Sequence, residues 1–455
     1  MKNLRLTILT LAVVSCISIN MLSAAPSFKW GFQERLRNTM MNNNQDFSSA
    51  KDDKQDFFRI RTTLWGQVDF NPNLALRMQL NNEFRYYAVT READKSKDFT
   101  LDEIVIEHLN LRFTTPGAPI TFIVGRQNLM YGEGFILMDG APWDGSRTIY
   151  FDAIKMSVTG GPTTIDLLAI DNGLYDDRLP TLKSANQDQP TKGLPKDKEG
   201  NQWLNDNREK AIGVYLTHKG KEGAQWEGYF IHKIELPKPW INLGATAQQL
   251  EDLGLNTLGG RVIYPLSSHF KLTTEWAFQV GSKGSATQNS YGGYAYLTYG
   301  FNNAKKMALT GGINSLSGDD PATNDNEGWN PLFSRWPKWS ELYIYSHTYE
   351  NIQGAKRIAY WTNTLSPYLK FDISPIKNVN ISAFLYHLQA FYGQTLAGST
   401  TGKDRGNEFQ LWIRFNVTKQ LTGHFLFDYF MPGDFYPAPQ ADAYFIRGEL
   451  MYTLQ

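Results

Sequence analysis

The chain has 455 residues, no net formal charge and a mean hydropathy of −0.40, with an aromatic content of 14%. The balanced charge gives no indication of nucleic-acid binding. Beyond the N-terminus no apolar run reaches the roughly 18 residues of a membrane-spanning helix, which excludes a helical membrane protein. The length allows either several soluble domains or one large β-barrel.

The N-terminal segment has the three parts of a secretory leader. Lys2 and Arg5 are basic, an apolar run follows, and small residues form a cleavage site. We expect a signal peptide over residues 1–25 and one mature barrel domain over 26–455. The only cysteine, Cys16, lies in the leader, so the mature chain is expected to lack disulfides and thiol chemistry. Lipid attachment at Cys16 is the alternative, and it is disfavoured because the apolar run continues past this residue.

Segments of alternating apolar and polar residues fill the mature chain. In LALRMQLNNEFRYY (74–87), apolar side chains lie on one face and Arg77, Gln79, Glu83 and Arg85 on the other. The alternation is clear in Phe58–Phe70, Leu74–Tyr87, Val105–Phe113, Ile120–Val124, Leu258–Tyr264, Phe270–Val280, Phe409–Val417, Leu421–Phe430 and Tyr444–Leu454. It is weaker near 27–37, 148–158, 163–170, 211–218, 226–234, 292–301, 305–313, 357–373 and 378–390. Together these segments predict about 18 strands.

Short and long connections alternate between the predicted strands. Short turns fall at 71–73, 114–119, 160–162, 265–269, 302–304, 374–378 and 418–420. Long polar connections fall at 38–57, 88–102, 128–147, 171–210, 235–255, 281–291, 314–356, 391–405 and 431–441. Transmembrane barrels separate their connections in this way, with short periplasmic turns and long outer loops. We therefore predict an all-β fold, a single antiparallel transmembrane β-barrel whose apolar face contacts lipid.

Three stretches resemble the alginate-export family of outer-membrane barrels. They are VGRQNLMYGEGFILMDGAPWDGSRTIYFDAIK (124–155), GDDP…GWNPLFSRWPKWSELYIY (318–345) and RGNEFQLWIRFNVTKQLTGHFLFDYFMPGDFY (405–436). The resemblance implies a barrel of about 18 strands in the outer membrane of a Gram-negative bacterium. It also implies passive export of an anionic polysaccharide such as alginate or another polyuronate.

A polyuronate carries one carboxylate per sugar, and arginine binds carboxylates through two parallel hydrogen bonds. The predicted register turns more cations than acids inward on the clearer strands. The inward cations are Lys29, Arg35, Arg37, Arg59, Arg61, Arg77, Arg85, Arg112, Arg261, Lys271, Arg414 and Arg447, and the inward acids are Asp69, Glu83, Glu275, Glu408, Asp428 and Glu449. The predicted conduit residues are Arg59, Arg61, Arg77, Arg85, Arg112, Arg126, Arg261, Arg414 and Arg447.

The densest inward set is the predicted selectivity cluster, which consists of Arg59, Arg61, Arg77 and Arg85. The alternative interpretation is that these charges are paired only to keep the lumen polar and rigid. Glu34 and Glu107 fall on the lipid-facing side of the same register, where acids are unexpected, so either the register is wrong there or these residues lie outside the apolar band.

Enzymatic signatures are absent from the sequence. It contains no phosphate-binding loop, no His-Glu-x-x-His and no cysteine metal spacing, so we expect neither an enzyme nor a cofactor. His108 and His424 point inward in the predicted register. Oxygen ligands for calcium are offered by Asp319, Asp320 and Asp325, with Asn326 and Glu327. Their spacing matches no known calcium loop, and a solvated turn is the favoured interpretation.

Two other functions remain open, a general or small-solute porin and a barrel hydrolase or adhesin that uses the outer loops. A basic constriction favours polysaccharide export, a wide lumen with balanced charge favours the porin, and a Ser-His-acid cluster at the outer rim favours the hydrolase. The expected partners are outer-membrane lipid, an anionic polysaccharide or small solute and periplasmic export proteins, without nucleic acid. We expect a monomer.

The predicted orientation can be tested with epitope tags. Because long loops face the cell exterior, a tag in 171–210 or 314–356 should bind antibody on intact cells. A tag at 71–73 or 418–420 should bind only after permeabilisation. Antibody labelling that is exposed at 71–73 and hidden in 171–210 would mean that the orientation is inverted.

Overall fold

The computed structural model describes residues 25–44, 47, 54–89, 100–138, 150–173, 178–180, 208–236, 252–334, 339–340, 342, 362–393, 395–396, 399–436 and 439–454. An antiparallel sheet of 18 strands forms the fold. The strands are β1 (Ser27–Asn42), β2 (Gln55–Asn71), β3 (Leu74–Val89), β4 (Thr100–Thr114), β5 (Ile120–Gln127), β6 (Phe151–Gly160), β7 (Thr163–Asn172), β8 (Arg208–Lys219), β9 (Gln225–Leu236), β10 (Leu253–Pro265), β11 (Phe270–Lys283), β12 (Ala286–Gly300), β13 (Ala308–Leu316), β14 (Thr364–Ile376), β15 (Val379–Gln389), β16 (Asp404–Asn416), β17 (Leu421–Pro432) and β18 (Ala443–Leu454).

The sheet closes on itself. Strand β1 pairs with β2 on one side and with β18 on the other, in a register that runs from Phe32 opposite Leu454 to Asn42 opposite Tyr444. Closure leaves no sheet edge exposed, so the backbone donors and acceptors at the seam are paired. Each predicted segment corresponds to one strand, and the predicted antiparallel barrel is confirmed.

The remaining elements are small. A two-stranded ladder joins Thr395–Leu396 to Ser399–Thr400, and a 3-10 turn covers Lys221–Gly223. Among the residues listed above, no helix has both the length and the apolar character needed to cross a membrane.

The connections at the two ends of the barrel differ in length. Those at the end where β1 begins and β18 ends, called here the short-turn end, have at most seven residues. At the opposite end, the long-loop end, the longest connection covers 317–363.

The predicted long connection at 281–291 is wrong. Strands β11 and β12 continue to Lys283 and Ala286, which pair with each other across a two-residue turn. Gly284, with φ +58°, occupies the first turn position, where a left-handed conformation favours glycine. The polar residues on both sides therefore belong to the strands.

Side chains alternate between an outward apolar face and an inward polar face. The outward Phe28, Leu258 and Phe278 are 66%, 63% and 65% exposed. The inward Arg35 and Glu275 are 1% and 0% exposed. An apolar exterior around a charged lumen is the arrangement of a membrane-embedded barrel.

The register predicted around Glu107 is wrong, which is one of the two explanations for its placement on the lipid-facing side. Between β3 and β4 the register shifts, because Gln79 pairs with His108 whereas Leu80 pairs with Ile106. The additional residue is a β-bulge, which changes the direction of the neighbouring side chains. Glu107 consequently faces the lumen, where it is 2% exposed and accepts a hydrogen bond of 2.9 Å from Gln79 Nε2.

The two faces of a strand should respond differently to an added charge. Leu76 lies on the outward face of β3 and is 37% exposed. Leu411 lies on the outward face of β16. Leu76→Arg or Leu411→Arg should impair assembly, because a cation on the lipid face near mid-bilayer costs about 2–4 kcal/mol. Gln79→Arg should be tolerated, because Gln79 faces the lumen next to Glu107. Heat-modifiable electrophoretic migration measures assembly, and loss of it in Gln79→Arg but not in Leu76→Arg would contradict the register.

Candidate functional site

Four arginines of β1 and β2 lie together on the inner wall and are 1–6% exposed. This arginine cluster consists of Arg35, Arg37, Arg59 and Arg61. Arg35 Nη2 and Arg59 Nε each donate to a different carboxylate oxygen of Glu83 at 2.7 Å. Arg37 Nη2 lies 2.6 Å from Glu449 Oε2. These ion pairs orient the guanidinium groups. Glu107 interacts electrostatically with Arg61, so the cluster holds four cations against three carboxylates.

Two arginines of the cluster, Arg37 and Arg59, belong to a longer lateral row, called here the charged row. The row contains one residue from each of the six neighbouring strands from β16 to β3, and each residue pairs with the next. In order they are Arg414, His424, Glu449, Arg37, Arg59 and Arg85. Arg414 is two residues from the short-turn end of β16, whereas Arg85 is four residues from the long-loop end of β3. Barrel strands tilt by about 35–45° from the barrel axis, so a row perpendicular to them climbs the wall. The charged row therefore extends along much of the height of the lumen.

Two members of the predicted selectivity cluster are placed differently from the other two. Arg59 and Arg61 lie in the arginine cluster. Arg77 lies nearer the short-turn end, where its guanidinium is 4.5 Å from the ring centre of Trp65. The backbone of Arg85 pairs with Arg59, but its side chain lies outside the described part of the chain. The observed cluster includes Arg35 and Arg37, which the sequence placed inward but not in this set.

Two further predicted conduit arginines lie near the short-turn end of the lumen. Arg112 is 3.7 Å from Asp69 Oδ1 and lines a cavity of about 350 Å³ at the barrel mouth. Lys29 lines the same cavity and is 2.8 Å from Asp69. Arg414 is exposed and lies 4.2 Å from the ring centre of Trp412. These cations are accessible to a solute that enters from this end.

Arg447 and His424 contact each other instead of forming a catalytic arrangement. Arg447 Nε donates to His424 Nε2 at 2.9 Å, and His424 Nδ1 lies 3.4 Å from Glu449. The ring of His424 is 5.0 Å from that of Trp412. With an arginine, a glutamate and a tryptophan as neighbours, this histidine is not oriented toward a serine hydroxyl.

Arg126 anchors the base of an infolded loop. Its Nε donates to Asp152 Oδ1 at 2.9 Å, its Nη1 donates to the carbonyl oxygen of Ile106 at 3.1 Å, and the guanidinium lies 3.7 Å from the ring centre of Tyr150. The preceding Gly125 has φ +117°, and a Cβ there would lie 2.3 Å from a backbone oxygen of β4. Arg126 is 2% exposed, so these contacts hold the strand end in place.

Residues 128–138, called here the inward segment, fold into the lumen. Five of its apolar side chains are 0–5% exposed, namely Leu129, Phe135, Ile136, Leu137 and Met138, whereas Met130 is 43% exposed. A second stretch, 329–334, packs against it. Phe333 N donates to the carbonyl oxygen of Ile136 at 3.1 Å, and Phe135 stacks on Trp329 with ring centres 5.2 Å apart. Both stretches contact the inner wall from β6 to β13 and narrow the lumen on that side.

The tip of the inward segment binds the wall through a carboxylate. Glu133 Oε1 accepts hydrogen bonds from Arg261 Nη2 at 3.0 Å and from Tyr296 OH at 2.5 Å. Arg261 Nη1 also donates to Glu227 Oε1 at 2.8 Å, and Glu275 lies 3.9 Å from its Nε. One guanidinium thus faces three carboxylates, and this wall carries an acidic excess opposite the arginine cluster.

A second contact fixes the same tip. Tyr131 OH donates to Asp166 Oδ2 at 2.6 Å. Burial of Tyr131 and the nearby Asp166 carboxylate raise the pKa of this phenol, which keeps it a hydrogen-bond donor. The residues Glu133, Tyr131, Asp166 and Glu227 were not identified from the sequence. The sequence MYGEGF did contain a signal, because Glu133 stands between two glycines inside the motif that resembles the family.

The calcium hypothesis finds no support in the geometry. Asp319 Oδ1 accepts a hydrogen bond of 3.1 Å from Glu327 N, and Asp320 Oδ1 accepts one of 2.9 Å from Ala322 N, so both carboxylates stabilise turns. Burial and the adjacent Glu327 raise the pKa of Asp319. Within the described ranges no group of three His, Cys, Asp or Glu side chains is arranged to hold a metal ion.

A closed 18-stranded barrel with an apolar exterior and a charged, narrowed lumen defines an outer-membrane channel. A family model described as alginate export matches residues 28–444, so the chain belongs to the alginate export family. No curated protein matches it.

Solved structures of Pseudomonas aeruginosa proteins share the fold. OpdK with vanillate has a TM-score of 0.56 at 10% identity, OccK2 (OpdF) in complex with glucuronate 0.53 at 10%, and OccK5 (OpdH) 0.53 at 14%. In each case 94% of this chain and 98% of the other are covered. At these identities the likeness concerns the fold alone.

The position of the inward segment can be tested at Gly132. This residue has φ +56°, and a Cβ would lie 3.1 Å from Arg261 Cδ, 3.2 Å from Glu227 Oε2 and 3.3 Å from Glu275 Oε2. Gly132→Ala should displace the segment and raise single-channel conductance, because the left-handed conformation alone costs about 1–2 kcal/mol. Gly117→Ala is the control, since Gly117 has φ +73° and open space around it. Unchanged conductance in Gly132→Ala would show that the segment does not limit the channel.

Proposed function

We propose that this barrel is a passive conduit for the export of an anionic polysaccharide, with polyuronates such as alginate as the substrate class. The observation that carries the proposal is the charged row, which contains part of the arginine cluster and extends along the lumen. A carboxylate that leaves water needs fixed cations to replace its hydration, and arginine supplies them with two-pronged hydrogen bonds.

The ion pairs of the cluster support a role in electrostatic guidance. Glu83 holds Arg35 and Arg59, and Glu449 holds Arg37, so the guanidinium groups keep their orientation without a substrate. Preorganised charges need little rearrangement when an anion arrives. The more exposed Arg112 and Arg414 are available for direct contact with a passing carboxylate.

Narrowing of the lumen makes this guidance effective. In a wide, water-filled barrel, salt screens charges beyond about 8–10 Å. The inward segment and residues 329–334 occupy the side of the lumen formed by β6 to β13. A passing chain is therefore confined toward the wall that carries the charged row.

Family membership supports export of a polyanion, since the matching family is described as alginate export. The ligands named for two fold neighbours, glucuronate and vanillate, both carry a carboxylate, which fits a cationic lumen. Both the family and these neighbours are channels, which supports conduction without catalysis.

A general or small-solute porin is the second candidate function. Extensive charge pairing favours it, because Arg261 is shared by Glu133, Glu227 and Glu275 and leaves no positive excess on that wall. A lumen with cations on one wall and acids on the other orients small dipolar solutes as well as polyanions.

Planar-bilayer recordings can separate these functions. The wild-type channel should prefer anions and be blocked by soluble oligouronates. Arg59→Gln combined with Arg414→Gln removes two cations of the charged row and should lower the anion preference and weaken the block several-fold, most visibly at low salt. Glu83 keeps Arg35 as its partner in this variant, so the wall should remain folded.

A matched control removes the same charge elsewhere. Lys155 on β6 and Lys271 on β11 follow the inward register but lie away from the charged row. Lys155→Gln combined with Lys271→Gln should have a smaller effect on block. A wild-type channel with cation preference and no block by any oligouronate would remove the polyanion proposal and leave a porin.

A further inference from the structure

Two cations lie on the outer face of β8, at its long-loop end. Arg208 and Lys210 alternate with Ile212, which is 62% exposed on the apolar exterior, so these side chains point away from the lumen. Among the strand side chains that the structure describes, no other lysine or arginine faces outward without being buried. Positive charge on the exterior is therefore confined to one sector of the barrel.

A carboxylate on the neighbouring strand orients these cations. Asp171 of β7 pairs with Lys210 across the sheet. Arg208 Nε donates to Asp171 Oδ1 at 3.2 Å, and its Nη2 donates to Oδ2 at 3.0 Å. Arg178, beyond the end of β7, has its Nη2 3.1 Å from Asp171 Oδ1. The rim cluster, defined here as Arg178, Arg208, Lys210 and Asp171, thus holds three cations around one acid.

The second acid nearby does not neutralise the rim cluster. Asp152 Oδ2 lies 3.4 Å from Arg178 Nη1, but both oxygens of this carboxylate also accept hydrogen bonds from Arg126, at 2.9 and 3.4 Å. With Arg126 included, four cations lie against two carboxylates among the side chains described in this sector. The side chains of Arg178 and Arg208 remain 33% and 46% exposed, so the positive excess is accessible from outside the barrel.

The exterior next to the rim cluster is apolar. On β6, β7 and β8 the outward Ile154, Leu167 and Ile212 are 39%, 44% and 62% exposed. Cations at the edge of an apolar belt lie at the depth of the lipid headgroups, while the belt itself contacts acyl chains. This sector therefore combines the two surfaces that a lipid with an anionic headgroup requires.

We propose that the rim cluster binds a phosphate of a glycolipid in the outer leaflet, with the acyl chains on the apolar surface beside it. Guanidinium groups bind phosphate oxygens through two parallel hydrogen bonds, and a lysine adds a point charge. A phosphate monoester carries about 1.5–2 negative charges at pH 7, which balances the positive excess of the sector. Because Asp171 already orients Arg208 and Arg178, binding needs little rearrangement.

The depth of the cluster selects the lipid. Long loops of transmembrane barrels face the cell exterior, so the long-loop end of β8 lies among the headgroups of the outer leaflet. In a Gram-negative outer membrane this leaflet contains lipopolysaccharide, a glycolipid with phosphates on its acylated anchor. The inference is independent of what the lumen conducts, because the rim cluster lies on the other face of the wall.

Native mass spectrometry of the barrel extracted from outer membranes in mild detergent tests the site. The wild-type barrel should retain lipopolysaccharide. Arg178→Gln combined with Lys210→Gln should lower the retained fraction about tenfold or more, because charge-assisted hydrogen bonds are lost. Lys219→Gln combined with Lys221→Gln removes the same charge at the short-turn end of β8 and should leave retention unchanged. Heat-modifiable migration should persist in both double variants.

Rebinding to the delipidated barrel separates the lipid from a free ion. Lipopolysaccharide without its anchor phosphates should bind the wild type about tenfold more weakly, and excess inorganic phosphate should not displace the intact lipid. No retained lipopolysaccharide in the wild type, equal retention in Arg178→Gln/Lys210→Gln, or an equal loss in the lysine control would overturn the proposal. Retention of phospholipid in its place, or displacement by inorganic phosphate alone, would overturn it as well.

Discussion

The absence of water in the bilayer core governs this structure. Hydrocarbon offers no hydrogen-bond partners, so every strand needs a neighbour on both sides. The seam between β1 and β18 supplies the last of these pairings, from Phe32 opposite Leu454 to Asn42 opposite Tyr444. Closure also assigns each side chain to lipid or to the lumen. The charges of the chain are thereby concentrated inside a confined space, where they must be satisfied by one another.

The balance between cations and acids differs between the two walls of the lumen. On β1 to β3, cations outnumber acids, although the bulged Glu107 adds a third carboxylate to Glu83 and Glu449 in this region. Around Arg261, acids outnumber cations, and tyrosine hydroxyls supply the remaining hydrogen bonds. Removing one partner of a buried ion pair typically destabilises a protein by about 3–5 kcal/mol. Substitutions in either set of ion pairs are therefore costly. The same ion pairs that stabilise the wall thus keep a residual field of defined direction across the channel.

Alternation of apolar and polar residues was sufficient to predict the 18 strands, the sidedness of most residues and the inward position of the arginines. It could not reveal the bulge at Glu107, because a single additional residue leaves the composition of β4 unchanged. The β11–β12 turn was missed because Gly, Ser, Gln and Asn residues favour loops in isolation, whereas cross-strand pairing decides the outcome here.

The contacts of the inward segment were beyond the reach of local patterns. Glu133 and Arg261 are separated by 128 residues, and only the closed barrel brings them together. Arg126 was predicted to line the conduit because its charge was visible in the sequence. Its contacts with Asp152 and Tyr150 could not be predicted, because these residues follow a long loop. The glycines next to Glu133 were visible, but their role depends on the wall that they contact.

The tilt of the strands has a consequence for any polymer that follows the charged row. Because Arg414 and Arg85 lie at different heights and on strands far apart around the circumference, the path between them is a segment of a screw. A linear chain that keeps contact with this path must rotate about the barrel axis as it advances. Its own helical twist and stiffness then matter alongside its charge, and a polymer of the opposite hand would have to unwind or lose contact at each step.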